Sequence, residues 1–326
     1  MKKTVFVRFC TTTILAIGMI LPSFANSVMY DFLVAKDGTG DFKTVQEAIN
    51  AVPDLRDNRT VIYIKEGVYK EKLTLPATKT NVSFIGEDNK KTILTYDDYA
   101  SKKNRYGEDI GTSGSTSFFV FGDGFYAENI TFENSAGPVG QAVAVRVTGD
   151  RAYFENCRFL GSQDTLYPHG VGSRQYYRNC YIEGTTDFIF GSATALFQSC
   201  EINSKPGGSY ITAASTPDTA RYGFVFKDCR IVGDVKENST YLGRPWRPYA
   251  STVFINCYLG KQIKAEGWQN WGKENNEKTA YYAELNSSGP GAVQLGRVDW
   301  SFQLSEKDMD YYSDEKILQG WDLKVQ

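Results

Sequence analysis

One histidine, His169, serves the whole 326-residue chain. A Ser-His-Asp triad would therefore hang on a single loop residue, and no G-x-S-x-G elbow accompanies it. Cysteine and histidine nowhere cluster at zinc spacing. The glycine-rich "DGTGDF" (37–42) lacks the third glycine of a dinucleotide fingerprint and reads as a turn. Basic residues are not in surplus: 36 Lys and Arg face 38 Asp and Glu, a formal net charge of −2. That balance argues against nucleic acid or an anionic membrane surface as partner. No Pro/Ser-rich linker, charge block or low-complexity run divides the chain, and only one apolar run stands out, near the start.

That run, Thr13 to Leu21, follows Lys2, Lys3 and Arg8 and precedes "PSFA", which ends on Ala25. It reads as a secretory signal peptide over residues 1–25, too short for a stable membrane span. Its short basic start is of bacterial type, so the expected location is periplasmic or secreted from a bacterium. Cleavage would remove three positive charges and no negative one, taking the formal net charge from −2 to −5. About 300 residues would remain, a length that all-β folds often build as one domain.

Aligning the cysteines exposes a repeat: "YFENCRF", "YYRNCYI", "LFQSCEI", "VFKDCRI" and "VFINCYL", with an earlier copy "YAENITF" in which Ile130 replaces cysteine. The anchors fall at 130, 157, 180, 200, 229 and 257, spaced irregularly by 20 to 29 residues, a size that indicates a solenoid or propeller. The third residue before each cysteine is aromatic, the second after it is apolar, and a turn-prone Asn, Ser or Asp stands just before it. Short strands with inward positions two apart fit that pattern. Propeller blades would need about 40 residues each, and the leucine framework of leucine-rich repeats is missing. The expected fold is all-β, a single-stranded right-handed parallel β-helix with coils of variable length. Its five anchor cysteines form an inward ladder of small buried hydrophobes; stacking leaves disulfides geometrically possible, but their odd number forbids complete pairing. In "TVQEAINAVP" (44–53), Thr44 and Glu47 have capping-box spacing and Val45, Ala48, Ile49 and Val52 share a face, which predicts a short helix capping the open N-terminal end.

Two phrases match beyond the anchor: "GSQDTLY" (161–167) and "GTTDFIF" (184–190). Asp164 lies seven residues after Cys157, and Asp187 seven after Cys180, so the two carboxylates should occupy equivalent corners of consecutive coils. Adjacent carboxylates repel, and one tends to keep its proton near neutral pH, which places an acid beside an anion. Corner aspartates also cap turns in solenoids, and the repeat alone does not choose between these roles.

Seven segments, in order, carry a resemblance: "VIYIKEGVYKEKL" (61–73), "GDGFYAENITFENSAGP" (122–138), "QAVAVRV" (141–147), "GSQDTLY", "IEGTTDFIFG" (182–191), "YLGRPWRP" (241–248) and "YAELNSSGPGA" (282–292). Together they resemble the successive motifs of the pectin methylesterases, carbohydrate esterases with a right-handed β-helix. The resemblance implies that residues 26–326 form a catalytic domain that hydrolyses the C6 methyl esters of galacturonate in pectin, without cofactor or metal. A monomer is expected, with pectin as its partner. Carried residue by residue, it implies Asp187 as the nucleophile forming an acyl-enzyme and Asp164 as the acid and then the base. Gln163 would donate to the oxyanion, with Gln141 contributing there or to substrate binding. Arg244 would hold Asp187 ionised, and Trp246 would offer a sugar platform. Ser117 stands where family members often have Thr, and would keep a hydroxyl for the substrate. Tyr167 and Phe188 stand where groove aromatics could lie, but the repeat is aromatic throughout, and they carry no catalytic assignment. Polygalacturonases and pectate lyases share the solenoid, but the G-H-G segment of the former and the acidic calcium site of the latter are missing. A non-catalytic β-helix would give the Gln-Asp and Arg-Pro-Trp loops no reason to converge.

Overall fold

The computed structural model describes residues 3–6 and 27–323. The candidate signal peptide falls outside the described residues apart from Lys3–Phe6, which pair antiparallel with Ser27–Tyr30. Beyond this ribbon the described strands all pair in parallel, in sheets of eleven, eight and seven strands, and only an isolated bridge between Lys103 and Asp109 among the described residues is antiparallel. The chain visits the three sheets in turn. One coil runs Ala152–Glu155 in the first sheet, Arg158–Leu160 in the second and Leu166–Pro168 in the third. This is the parallel β-helix anticipated from the repeat.

The turn between the first two sheets explains the residue before each anchor. Asn129, Asn156, Asn179, Ser199, Asp228 and Asn256 all have positive φ, between 50° and 58°. Asn and Asp visit this left-handed region more readily than other non-glycine residues, so the sequence marks the corner where the chain must bend. The anchors then stack: Tyr181 N donates to Cys157 O, Glu201 N to Cys180 O, and Arg230 N to Cys200 O, each at 2.9 Å. Each thiol points inward and donates to a carbonyl of the previous coil, for example Cys180 to Phe154 O at 3.4 Å and Cys200 to Tyr177 O at 3.4 Å. All five are free and buried, and burial pushes the Cys157 thiol well above its ordinary range, so they behave as inert core residues.

The aromatics three positions before the anchors form a second ladder. Phe154, Tyr177, Phe197, Phe226 and Phe254 stack in succession at centroid distances of 5.0, 4.7, 4.5 and 4.5 Å, with planes within 10° of parallel. Such pairs add roughly 0.5–1.5 kcal/mol each beyond their burial. At the N-terminal end the helix Val45–Ala51 carries the expected box, Thr44 Oγ1 accepting from Glu47 N and Glu47 Oε2 accepting from Thr44 N. Its buried Val45, Ala48 and Ile49 join the interior. The C-terminal segment lays Tyr312, Ile317 and Leu318 over the outer face of the first sheet, against Tyr176, Leu196 and Val225. The outer face of the third sheet is left for the site.

Candidate active site

Asp164 and Asp187 sit where the second sheet turns into the third, on consecutive coils. Leu166 pairs with Ile189, and Asp164 N donates to Thr186 O at 3.2 Å, which aligns the two aspartates one coil apart. Neighbouring strands lie about 4.8 Å apart. Both have positive φ, 66° and 52°. The glycine three residues before each is required by close approach. A Cβ on Gly161 would lie 2.6 Å from the Thr165 hydroxyl, and one on Gly184 would lie 2.2 Å from Phe188 Cβ.

Asp187 has a further device. Thr186 pairs with Tyr210 but Ile189 pairs with Thr212, so two residues, Asp187 and Phe188, oppose the single Ile211 and the strand bulges there. A bulge re-aims a side chain and breaks the alternation of faces. Phe188 and Ile189 therefore both enter the core, while Phe190 points outward and stacks on Tyr167 at 4.1 Å. The sequence offered Tyr167 and Phe188 as groove aromatics; Tyr167 lines the cleft, and Phe190 lines it in place of Phe188.

Arg244 follows the strand Tyr241–Gly243 and forks onto Asp187, Nε to Oδ1 at 2.9 Å and Nη2 to Oδ2 at 2.7 Å. Its guanidinium is sandwiched between the rings of Tyr210 at 3.9 Å and Trp271 at 3.8 Å. This clamp fixes the plane of Arg244 and hence the rotation of the carboxylate. Asp164 lacks such help. It is 8% exposed, and its carboxyl accepts no hydrogen bond from the described residues. Burial first, and then the Asp187 charge, raise its pKa well above the ordinary carboxylate value, against a smaller pull from Arg244. Burial also raises Asp187, opposed by the charged hydrogen bonds and field of Arg244. The two carboxyls are thus biased toward a proton on Asp164 and an anion on Asp187.

Gln141, Gln163, Asp164, Asp187, Arg244 and Trp246 all line one cleft of about 580 Å³. Gln141 and Gln163 are joined by a backbone bridge, and both side-chain amides are unengaged by the described residues. Two unengaged amide donors thus line the same cleft as an anion and a buried acid, a set of groups suited to a developing oxyanion. Ser117 departs from expectation: it is 3% exposed, does not line the cleft, and its hydroxyl is buried without a partner among the described residues. Thr112 and Ser113, on the short turn Gly111–Gly114, present hydroxyl-bearing residues to the cleft instead. Sequence reasoning missed Tyr210 and Trp271; the second tryptophan of "GWQNWG", just before a glycine, was the available signal for the latter. His169 stays outside the cleft, its Nδ1 bound to the Ser192 hydroxyl at 3.0 Å, and burial lowers its pKa so that it rests neutral. Among the described residues no group of three or more His, Cys, Asp or Glu is placed to hold a metal ion.

A family model described as Pectinesterase matches residues 31–321. Pectinesterase 31 of Arabidopsis thaliana is 43% identical over 285 residues, covering 86% of this chain and 89% of that protein. Pectinesterase 5 of Arabidopsis thaliana is 42% identical over 282 residues, 82% of this chain but only 46% of its own length, so the chain spans about half of some relatives. Among solved structures, the pectin methylesterase from carrot superposes with a TM-score of 0.82 at 37% identity, covering 89% of this chain and 93% of that one. These three are plant proteins, which overturns the bacterial origin read from the short basic start. A basic start followed by an apolar run is too general a pattern to assign a kingdom.

Proposed function

The chain belongs to the pectinesterase family and is a carboxylic ester hydrolase, and we propose that it hydrolyses the C6 methyl esters of galacturonate units in pectin through an acyl-enzyme on Asp187. The observation that carries this reading is the pairing of a bulge-presented, arginine-clamped Asp187 with a buried, unpartnered Asp164 in a cleft that two unengaged glutamine amides also line. Ionised Asp187 attacks the ester carbonyl, and the resulting oxyanion takes hydrogen bonds from Gln163 and Gln141. Collapse breaks the bond to the methoxy oxygen, which leaves as methanol with the proton of Asp164. Asp164, now a carboxylate, removes a proton from water as it attacks the acyl carbon; galacturonate departs, Asp187 is freed and Asp164 is protonated again. Arg244 keeps Asp187 ionised between turnovers, and Tyr167, Phe190 and Trp246 offer flat apolar surface to the sugar rings.

Methanol release from methyl-esterified pectin tests the reading directly; a folded wild-type protein that releases none overturns it. Gln163→Ala is expected to lower turnover about 10²-fold, the scale of losing one oxyanion donor. The check is kcat and KM for methanol release. A change confined to KM would make Gln163 a binding residue.

A further inference from the structure

The outward row of the third sheet runs along the solenoid axis, one residue per coil. Phe119 pairs with Arg146, Arg146 with Tyr167, and Phe190 with Ala213, while Phe190 stacks on Tyr167. Among Phe119, Arg146, Tyr167, Phe190 and Ala213 in this strip, Arg146 is the sole charge, and none of the roles above uses it. Its guanidinium lies 5.3 Å from the Tyr167 centroid. Unlike Arg244, it has no carboxylate partner among the described residues, and its Nε is buried without a hydrogen-bond acceptor. A buried charged donor left unpaired is costly, and native structures keep such groups chiefly where a ligand or ordered water completes them.

We propose that Arg146 is a specificity-determining residue: it binds the free carboxylate of an unesterified galacturonate unit lying along the strip beside the ester undergoing cleavage. The inference rests on the esterase reading, since it takes the substrate to be a polyuronate. Geometry favours a carboxylate. The guanidinium offers a planar fork of donors held against a ring, and the strip continues directly into the cleft through Tyr167. A methyl ester at the same place has no charge and accepts more weakly, so Arg146 distinguishes the two states of a neighbouring unit. The reaction itself produces the kind of anion that this residue takes.

The test compares wild type, Arg146→Gln and Arg146→Lys on two hexagalacturonates, one esterified at every unit and one with a free internal carboxylate next to an ester. Arg146→Gln is expected to raise KM for the second substrate about tenfold, the scale of one charged hydrogen bond, and to narrow the KM difference between the two substrates. Arg146→Lys should recover part of the difference. An equal change on both substrates, or a loss confined to kcat, overturns the proposal and leaves Arg146 a packing residue. Calorimetric titration with fully unesterified hexagalacturonate separates this idea from the esterase reading. If the wild type releases no methanol, weaker binding by Arg146→Gln still supports the anion subsite, and unchanged binding overturns it.

Discussion

Asp187→Asn is expected to lower methanol release about 10⁴-fold or more, the range seen when a nucleophile or its obligatory partner is removed. The substitution keeps the shape of the side chain and removes the anion. An amide is a poor nucleophile, and it offers Arg244 one acceptor oxygen where the carboxylate offers two. Tyr210 and Trp271 should still hold the guanidinium, because the sandwich does not depend on Asp187. The variant should therefore fold and still bind esterified oligogalacturonides. The measurement is methanol release at saturating substrate, beside binding by titration. Turnover within tenfold of wild type would remove Asp187 from the chemistry, and loss of binding together with turnover would make the defect structural.

Asp164→Asn should separate two steps that Asp187→Asn abolishes together. Methoxide is a poor leaving group and needs the proton of Asp164, so methyl ester turnover is expected to fall roughly 10²- to 10⁴-fold, the range for general acid–base catalysis. A nitrophenyl ester, if the cleft admits it, needs little protonation on departure. It should give a pre-steady-state burst followed by slow turnover, because deacylation still lacks its base. Equal loss of burst and steady state would show that the carboxylates do not divide the work. In the wild type, activity should rise with pH as Asp187 ionises and fall as Asp164 loses its proton. Stability gives an independent reading of the same shift. Because its folded pKa is raised, Asp164 binds more proton in the folded than in the unfolded protein above the ordinary carboxylate range. Stability therefore falls as pH rises from that range through the folded pKa, and levels off above it. Asp164→Asn removes that penalty, so at neutral pH the less active variant should melt no lower than wild type. A clearly lower Tm at neutral pH, alongside normal folding at acid pH, would contradict the buried, unpartnered acid.

The parts of this protein legible in its sequence are those repeated or local. Six anchors, each with a turn residue one before and five of them with an aromatic three before, specify the coil, because inward positions and the left-handed corner recur at fixed offsets within each strand pair. The box of Thr44 and Glu47 lies within one helical turn. The doubled Gly-x-x-Asp phrase places two carboxylates side by side, since equal offsets from stacked anchors mean equal positions on adjacent coils. Resemblance supplied Gln141, Gln163, Arg244 and Trp246, and the fold brings all four to the same cleft.

What lay beyond the sequence depends on pairings between coils of unequal length. Strict alternation would treat Phe188 and Phe190 alike; the bulge at Asp187, which exists only against the strand Tyr210–Ala214, sends one to the core and the other to the cleft. Ser117 carries the hydroxyl expected of a substrate contact, but burial at the start of Phe118–Val120 removes it from the cleft. Tyr210 and Trp271 are distant from Arg244 along the chain; Tyr210 meets it because its strand pairs with Tyr241–Gly243 on the next coil, and Trp271 through a turn whose course no local pattern dictates. Periodicity determined which residues stack; only the folded chain decided which face of each corner opens to the cleft, because that choice is made by the neighbouring coil.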